Sequence, residues 1–333
     1  MAALSHHAIA QAFLLAFAES GASALELSPR PGNPKRFVVQ ADRSSFEAWI
    51  YVWTLTHGGG AARPTNEYRI QITGVTSPLS LNPSGGPTLL MGYEPNTGCF
   101  AGFDVAKHFT FSRRSPSIQI PITALHDALQ FGLSFAQKGN DEIVVAIRPD
   151  QLLGYVVNAP LLHAQGSDAV TSGLLARVAE LGDISREEME TLTPERQRIV
   201  SSISRLSRES SFRRKVVTAY ERRCAVTRIQ LDLIDAAHIL PVGIEGSSDD
   251  VRNGLCLSPT YHRAFDRALI FLDESLVMRI NESKVNEMQR NGVAGGLHDF
   301  QRYLNQRIHL PPDRQQWPNS ELILAANRAR GVA

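Results

Sequence analysis

The sequence predicts an α+β chain: a mostly-β N-terminal domain, a helical connector, and a C-terminal strand–loop–strand–helix unit with flanking helices. Three observations lead there. Short apolar or alternating runs, split by Gly, Pro, Asn and Ser turns, recur from Arg36 to Ala159. Helix-like segments follow, up to Arg223. The stretch from Cys224 to Arg267 then reads as strand, loop, strand and helix. A length of 333 residues suits two domains. We expect them at 1–165 and 211–333, joined by a connector at 166–210.

Composition bounds the function classes. Hydrophobic residues make up 43% of the chain, charged residues 20%, and the net charge is +1. Any nucleic-acid footprint must therefore be local. Three cysteines without a CxxC pair exclude a disulfide framework and a multi-cysteine zinc site. They suit a reducing, cytoplasmic setting. Ala8 to Phe17 is apolar but short, without a basic lead, so it reads as an amphipathic helix and not a signal peptide. No apolar run reaches the ~18 residues of a membrane span.

Taken in order, residues 5–20 suit a helix with Ala10, Phe13, Leu14 and Phe17 on one side. Strands are expected at Arg36–Gln40, Phe46–Thr56, Glu67–Thr73, Thr88–Gly92, Cys99–Val105 and Ser117–Ile120. A helix from Thr123 to Gln137, a strand at Glu142–Arg148 and a short helix capped by Asp150 complete the domain. His57 to Gly60 with Arg63 offers backbone donors and a cation, but no Gly-Lys-Ser/Thr follows, so it is no Walker loop. Lys107, His108, Arg113 and Arg114 surround Phe109 and Phe111, a mix that suits phosphate contact and base stacking or simply a solvated loop over two core rings. Glu94, Asp104, Asp141 and Glu142 match no metal spacing, and turn or cap roles explain them.

The connector holds helices at Ser167–Leu181 and Thr193–Leu206, with Ser185 and Glu188 at capping-box spacing. Ser201–Ser211 is polar and is the expected hinge. A further helix, Phe212–Arg223, carries Phe212, Val216 and Tyr220 along one stripe. Seven Lys/Arg against two Glu lie between Ser201 and Cys224. Arg213, Arg214, Lys215, Arg222 and Arg223 form a candidate DNA-backbone surface, the alternative being a solvated helix face. After Arg267, a hairpin around Asp273-Glu274, a helix at Leu297–Arg307 and a last helix at Pro318–Arg330 read as scaffold.

The chemistry concentrates in Cys224–Arg267. It holds Asp235-Ala236-Ala237-His238-Ile239, then Asn253-Gly254-Leu255, then His262-Arg263-Ala264-Phe265-Asp266. His262 and Asp266 are four apart, so a helix puts them on one face. These residues, in this order over about 45 positions, resemble the HNH (ββα-metal) endonucleases. The resemblance implies His238 as general base, and an Asn253 that steadies the loop and the base or approaches the metal. His262 and Asp266 would ligate one divalent cation: Mg²⁺ first, with Mn²⁺, Ni²⁺ or Zn²⁺ as alternatives. Many relatives carry Asp or His just before the base, where this chain has Ala237. Asp235 shares that strand face and is a candidate ligand or orienting residue. Arg263 and Arg267 flank the ligands and could grip phosphates or pack on the surface. Cys224 and Cys256, at positions where some relatives hold zinc, lack second cysteines and are expected as buried thiols.

The layout resembles a restriction endonuclease, sequence-specific or modification-dependent, with an N-terminal DNA reader. The expected partners are double-stranded DNA, a second copy in a homodimer and a cognate DNA methyltransferase. A flipped base would need an aromatic pocket, for which Trp49, Tyr51, Trp53 and Tyr93 are candidates beside a core role. Two other classes stay open: a non-cleaving DNA-binding regulator with a relict fold, and a ligand-triggered non-specific antiviral nuclease.

Overall fold

The computed structural model describes residues 4–27, 31–41, 44–57, 66–112, 115–139, 141–231 and 233–332. They divide into two compact units, Met1–Ser210 and Ser211–Ala333. Both combine strands and helices, as the sequence predicts.

In the first unit, seven described strands form a sheet. Their spatial order is Ser23–Glu26, Lys35–Ala41, Ser44–Thr54, Thr88–Tyr93, Phe100–Phe103, Ile143–Ile147 and Leu133–Gln137. Ser44–Thr54 and Thr88–Tyr93 run parallel; the other pairs are antiparallel. The period of two sorts the side chains. Ala48, Ile50 and Val52 join Phe13, Phe17 and Phe37 in one core, under the helix His6–Glu19. Tyr51, Leu90 and Phe103 face a second core beneath a smaller sheet of Thr56–His57, Glu67–Gln71 and Ser117–Pro121. The strand Ile143–Ile147 is buried throughout, which explains its unbroken apolar run.

Four expectations change. The helix expected over Thr123–Gln137 is Ile122–Phe131, because Gly132 at φ 86° ends it and Leu133–Gln137 pairs with Ile143–Ile147. The short helix capped by Asp150 is instead Leu152–Gln165, and Asp150 is buried against Arg148 at 2.6 Å. The Ser201–Ser211 hinge lies inside one helix, Pro194–Ala219, which also absorbs most of the expected Phe212–Arg223. On its first-unit part, Ile199, Ile203 and Leu206 are apolar at helical spacing and join the first core. Leu297–Arg307 splits into a helix, Leu297–Gln301, and the strand Gln306–Arg307, which pairs with Val277–Ile280.

The second unit is built on a hairpin. Asp235–His238 pairs antiparallel with Gly254–Leu257, in the register Asp235↔Leu257 and His238↔Gly254. The helix Pro259–Asp266 follows. Ile270–Leu272, Val277–Ile280 and Gln306–Arg307 form a small sheet. One core joins Phe212, Val216, Ala237, Leu255, Phe265, Ile270 and Ile323.

Candidate functional site

His238 ends its strand, four-fifths buried, and two contacts hold its ring. Nε2 lies 2.9 Å from Asp249 Oδ1. The Phe212 ring stacks on it, with centroids 3.7 Å apart and planes 11° from parallel. Gly254, the register partner of His238, makes this stacking possible. A Cβ there would sit 2.2 Å from Val216 Cγ2 and 3.2 Å from Phe212 Cζ, so any side chain would push that helix off the hairpin. Backbone φ at Gly254 is −121°, so the requirement is space and not conformation.

Asn253 is fully buried, and its amide is used up on the loop after His238. Oδ1 accepts from Leu240 N at 2.8 Å. Nδ2 donates to Leu240 O at 3.1 Å, to Ser248 O at 2.9 Å and, weakly, to Ser247 Oγ at 3.4 Å. Its own carbonyl accepts from Ile239 N at 2.8 Å. Of the two roles expected for Asn253, loop support is the one these contacts serve.

His262 lies on the helix Pro259–Asp266 between two carboxylates. Nδ1 is 3.7 Å from Asp235 Oδ2 and Nε2 is 3.5 Å from Asp266 Oδ2. Both distances are ion-pair rather than firm hydrogen-bond lengths. Burial disfavours charge on His262, but Asp235 and Asp266 outweigh it and raise its pKa. Reciprocally, the His262 imidazole beside Asp235 holds that carboxyl below the usual range. Strand register explains how Asp235 arrives there. It shares a face with Ala237, which is buried in the core, while Asp235 at the strand start is still half-exposed. One imidazole and two carboxylates are donors a divalent cation accepts. The ring is interposed between the carboxylates, and among the described residues no three such groups converge on one point. The donor chemistry fits a cation held by one ring nitrogen and the carboxylate facing it.

Residues 224–273 match the HNH endonuclease family. The C-terminal unit carries an HNH endonuclease domain. The nuclease assignment rests on that domain, and the three candidate groups lie within the matched residues. Residues 46–156 match a second family, Methylase-associated X1. No curated protein matches the chain. Among solved structures it is similar to a modification-dependent TagI restriction endonuclease, with 14% identity over 84% of this chain and 80% of that one, at a TM-score of 0.29. That score is too low to carry an argument.

The HNH domain is braced by a residue that motif spacing does not flag. Arg330, on the last helix Ser320–Arg330, donates from Nη1 to Ile239 O at 2.7 Å, and its guanidinium lies 4.3 Å from the Phe265 ring centroid. It thus ties the residue after His238 to the helix that bears His262. Replacing Arg330 with Ala is expected to destabilise the unit by about 2 kcal/mol, the scale of one charged hydrogen bond to a buried carbonyl plus a cation–π contact. Urea melts of the two proteins would measure it. Nothing in the sequence marks Asp249 or Phe212 as partners of His238. Asp249 looked like loop, and Phe212 like ordinary core.

Cys224 and Cys256 are buried thiols in the HNH core, as expected. Burial and the neighbouring Cys224 push the Cys256 thiol up to about 12. Arg213 donates to Ile234 O at 2.9 Å, so it secures the strand before Asp235. Arg214 and Lys215 line a groove of about 800 Å³ with Thr218, Asp250, Asp313 and Gln316. Arg222 and Arg223 lie in the turn after the helix Pro194–Ala219, Arg222 at φ 57°. Arg263 and Arg267 each follow a member of the cluster on the helix, and the Arg263 charge is felt at His262. They line a separate pocket of about 380 Å³ with Leu269, Met288, Leu297 and Phe300.

In the first unit, Lys107 Nζ donates to Asp141 O at 2.9 Å and His108 pairs with buried Glu142 at 2.5 Å. Phe109 and Phe111 pack against the second core. Arg113, Arg114, Arg63 and Gly58–Gly60 lie outside the described residues. Tyr51 is buried with its hydroxyl on Ser80 O, Trp49 bonds Glu47, Trp53 bonds Thr73 O, and Tyr93 packs on Phe100. Among the described residues no helix is long and apolar enough to cross a membrane.

Proposed function

We propose that this nuclease is a divalent-metal-dependent DNA endonuclease of restriction type, with His238 as general base. One observation carries the proposal: a single hairpin and its helix bear both a held imidazole at His238 and the Asp235–His262–Asp266 cluster. His238 accepts the proton of a water as its oxygen attacks phosphorus, and the P–O3′ bond breaks. His262 with Asp266, or with Asp235, would hold the cation, Mg²⁺ first. When bound, such a cation neutralises charge on the phosphate and on the leaving oxygen. Asn253 acts at one remove, by holding the loop after the base.

The N-terminal unit is proposed as the DNA reader. The match of residues 46–156 to a methylase-associated family supports a link to DNA methylation, either as dependence on a modified base or as a cognate methyltransferase. Arg214 and Lys215, with Arg222 and Arg223, are the proposed backbone contacts of the HNH domain. Arg263 and Arg267, over their apolar pocket, are a second proposed contact. Lys107 is a weaker one, since it is already tied to Asp141. Cutting both strands with one site per chain calls for a homodimer.

The test is digestion of paired plasmids, unmodified and cytosine-methylated, with Mg²⁺ and with EDTA. Discrete, metal-dependent fragments from one plasmid of the pair are expected. Smearing of both plasmids would favour a non-specific nuclease, and binding without cleavage in any metal would favour a regulator.

A further inference from the structure

We infer that Asp249 is the positioning residue of the base: it fixes His238 in the Nε2–H tautomer and leaves Nδ1 as the atom that takes the proton. The inference rests on the reading of His238 as base. A carboxylate at neutral pH only accepts hydrogen bonds. Oδ1 of Asp249 lies 2.9 Å from Nε2, so the proton of the neutral ring is on Nε2. Nδ1 then carries the lone pair. It bonds no described residue and is not among the buried unpartnered atoms, so it opens to solvent. Phe212 stacked at 3.7 Å blocks one ring face and sets its plane, while Asp249 sets the ring's rotation within that plane.

The loop is built to hold Asp249 there. Asn253 Nδ2 bonds the carbonyl of Ser248, its chain neighbour, at 2.9 Å. Ser247 Oγ bonds Leu240 O at 2.9 Å. On the other side Asp250 Oδ1 accepts from Arg252 N at 2.8 Å and caps the turn that leads into Asn253. The buried Asn therefore reaches the base by two routes: the strand end at Ile239 and Leu240, and the Asp249 carboxylate.

In the reaction, the water oxygen bonds phosphorus, its proton moves to Nδ1, and the P–O3′ bond breaks. The imidazolium so formed keeps its Nε2–H on Asp249, whose charge offsets the new positive charge. Asp249 neither gains a proton nor touches DNA.

Two measurements test this. Nitrogen-15 spectra of the histidine rings in the whole chain report the tautomer directly, without any cleavage. His238, assigned by its loss in His238→Ala, should be the Nε2–H form; an Nδ1–H ring would overturn the inference whatever His238 does in catalysis. Cleavage kinetics are the second. Asp249→Ala should lower turnover at saturating DNA by about 10-fold to 100-fold, the scale of a partner to a functional imidazole, with KM for DNA unchanged. Asp249→Asn has no charge to set against the imidazolium and can turn its amide N–H toward Nε2, so it should recover little of that loss. Unchanged turnover in Asp249→Ala, or a loss confined to KM, would overturn the positioning role. Should His238→Ala itself cut DNA normally, the base assignment falls, while the tautomer result still stands or fails on its own.

Discussion

Replacing His238 with alanine is expected to lower DNA cleavage by about 10²–10⁴-fold, the contribution of a well-placed general base, with DNA binding and melting temperature nearly unchanged. The ring is held by Asp249 and Phe212, but little of the hairpin depends on it. Its contacts are one part-buried hydrogen bond and one stacking face. Loss of the ring therefore removes chemistry before it removes structure. Single-turnover cleavage beside a binding titration would separate the two. Cleavage within a few-fold of the parent protein would remove His238 from the mechanism.

The second large effect is expected at Asn253, and there structure fails with activity. Truncation to Ala strands the buried Leu240 N and takes a partner from the part-buried Ser248 O, while Leu240 O keeps Ser247 Oγ. Each such group costs about 1–3 kcal/mol when it loses its partner, so a total near 3 kcal/mol is expected after partial relaxation. Asn253→Asp should be no better. It keeps an acceptor for Leu240 N but turns carboxylate oxygen toward two carbonyls, in a site with no exposed area. Denaturant melts of both variants, with cleavage rates on the folded fraction, would show it. An Asn253→Ala protein as stable as the parent would mean that the loop does not depend on this amide.

These two residues mark what is legible in the sequence. His238, Asn253 and His262 stand out because their residue types, order and spacing are local properties. The hairpin and helix that carry them follow from a period of two giving way to a helical spacing. Gly254 is legible as part of Asn-Gly-Leu, but its reason is not, because that reason is the Val216 side chain 2.2 Å away. The helical state of Ser201–Ser211, where the two units divide, has a similar cause. Its serines look like a linker, yet Ile199, Ile203 and Leu206 bury one face of a continuous helix. The surroundings of Arg263 and Arg267 follow from rotation about the helix. Positions 262 and 266 face the carboxylate cluster, so 263 and 267 turn by about 100° toward Met288 and Phe300.

By itself the sequence determined the α+β class, the nuclease motif and the residue types able to move a proton or hold a cation. These depend on spacing along the chain, which a sequence states directly. Only the tertiary structure decided that Asp249 meets His238, that Phe212 covers it, that Asp235 faces His262 and that Arg330 ties Ile239 to Phe265. Each of those pairs is 11 to 91 residues apart in the chain. Which partner arrives depends on how buried apolar faces pack, and no local pattern encodes that.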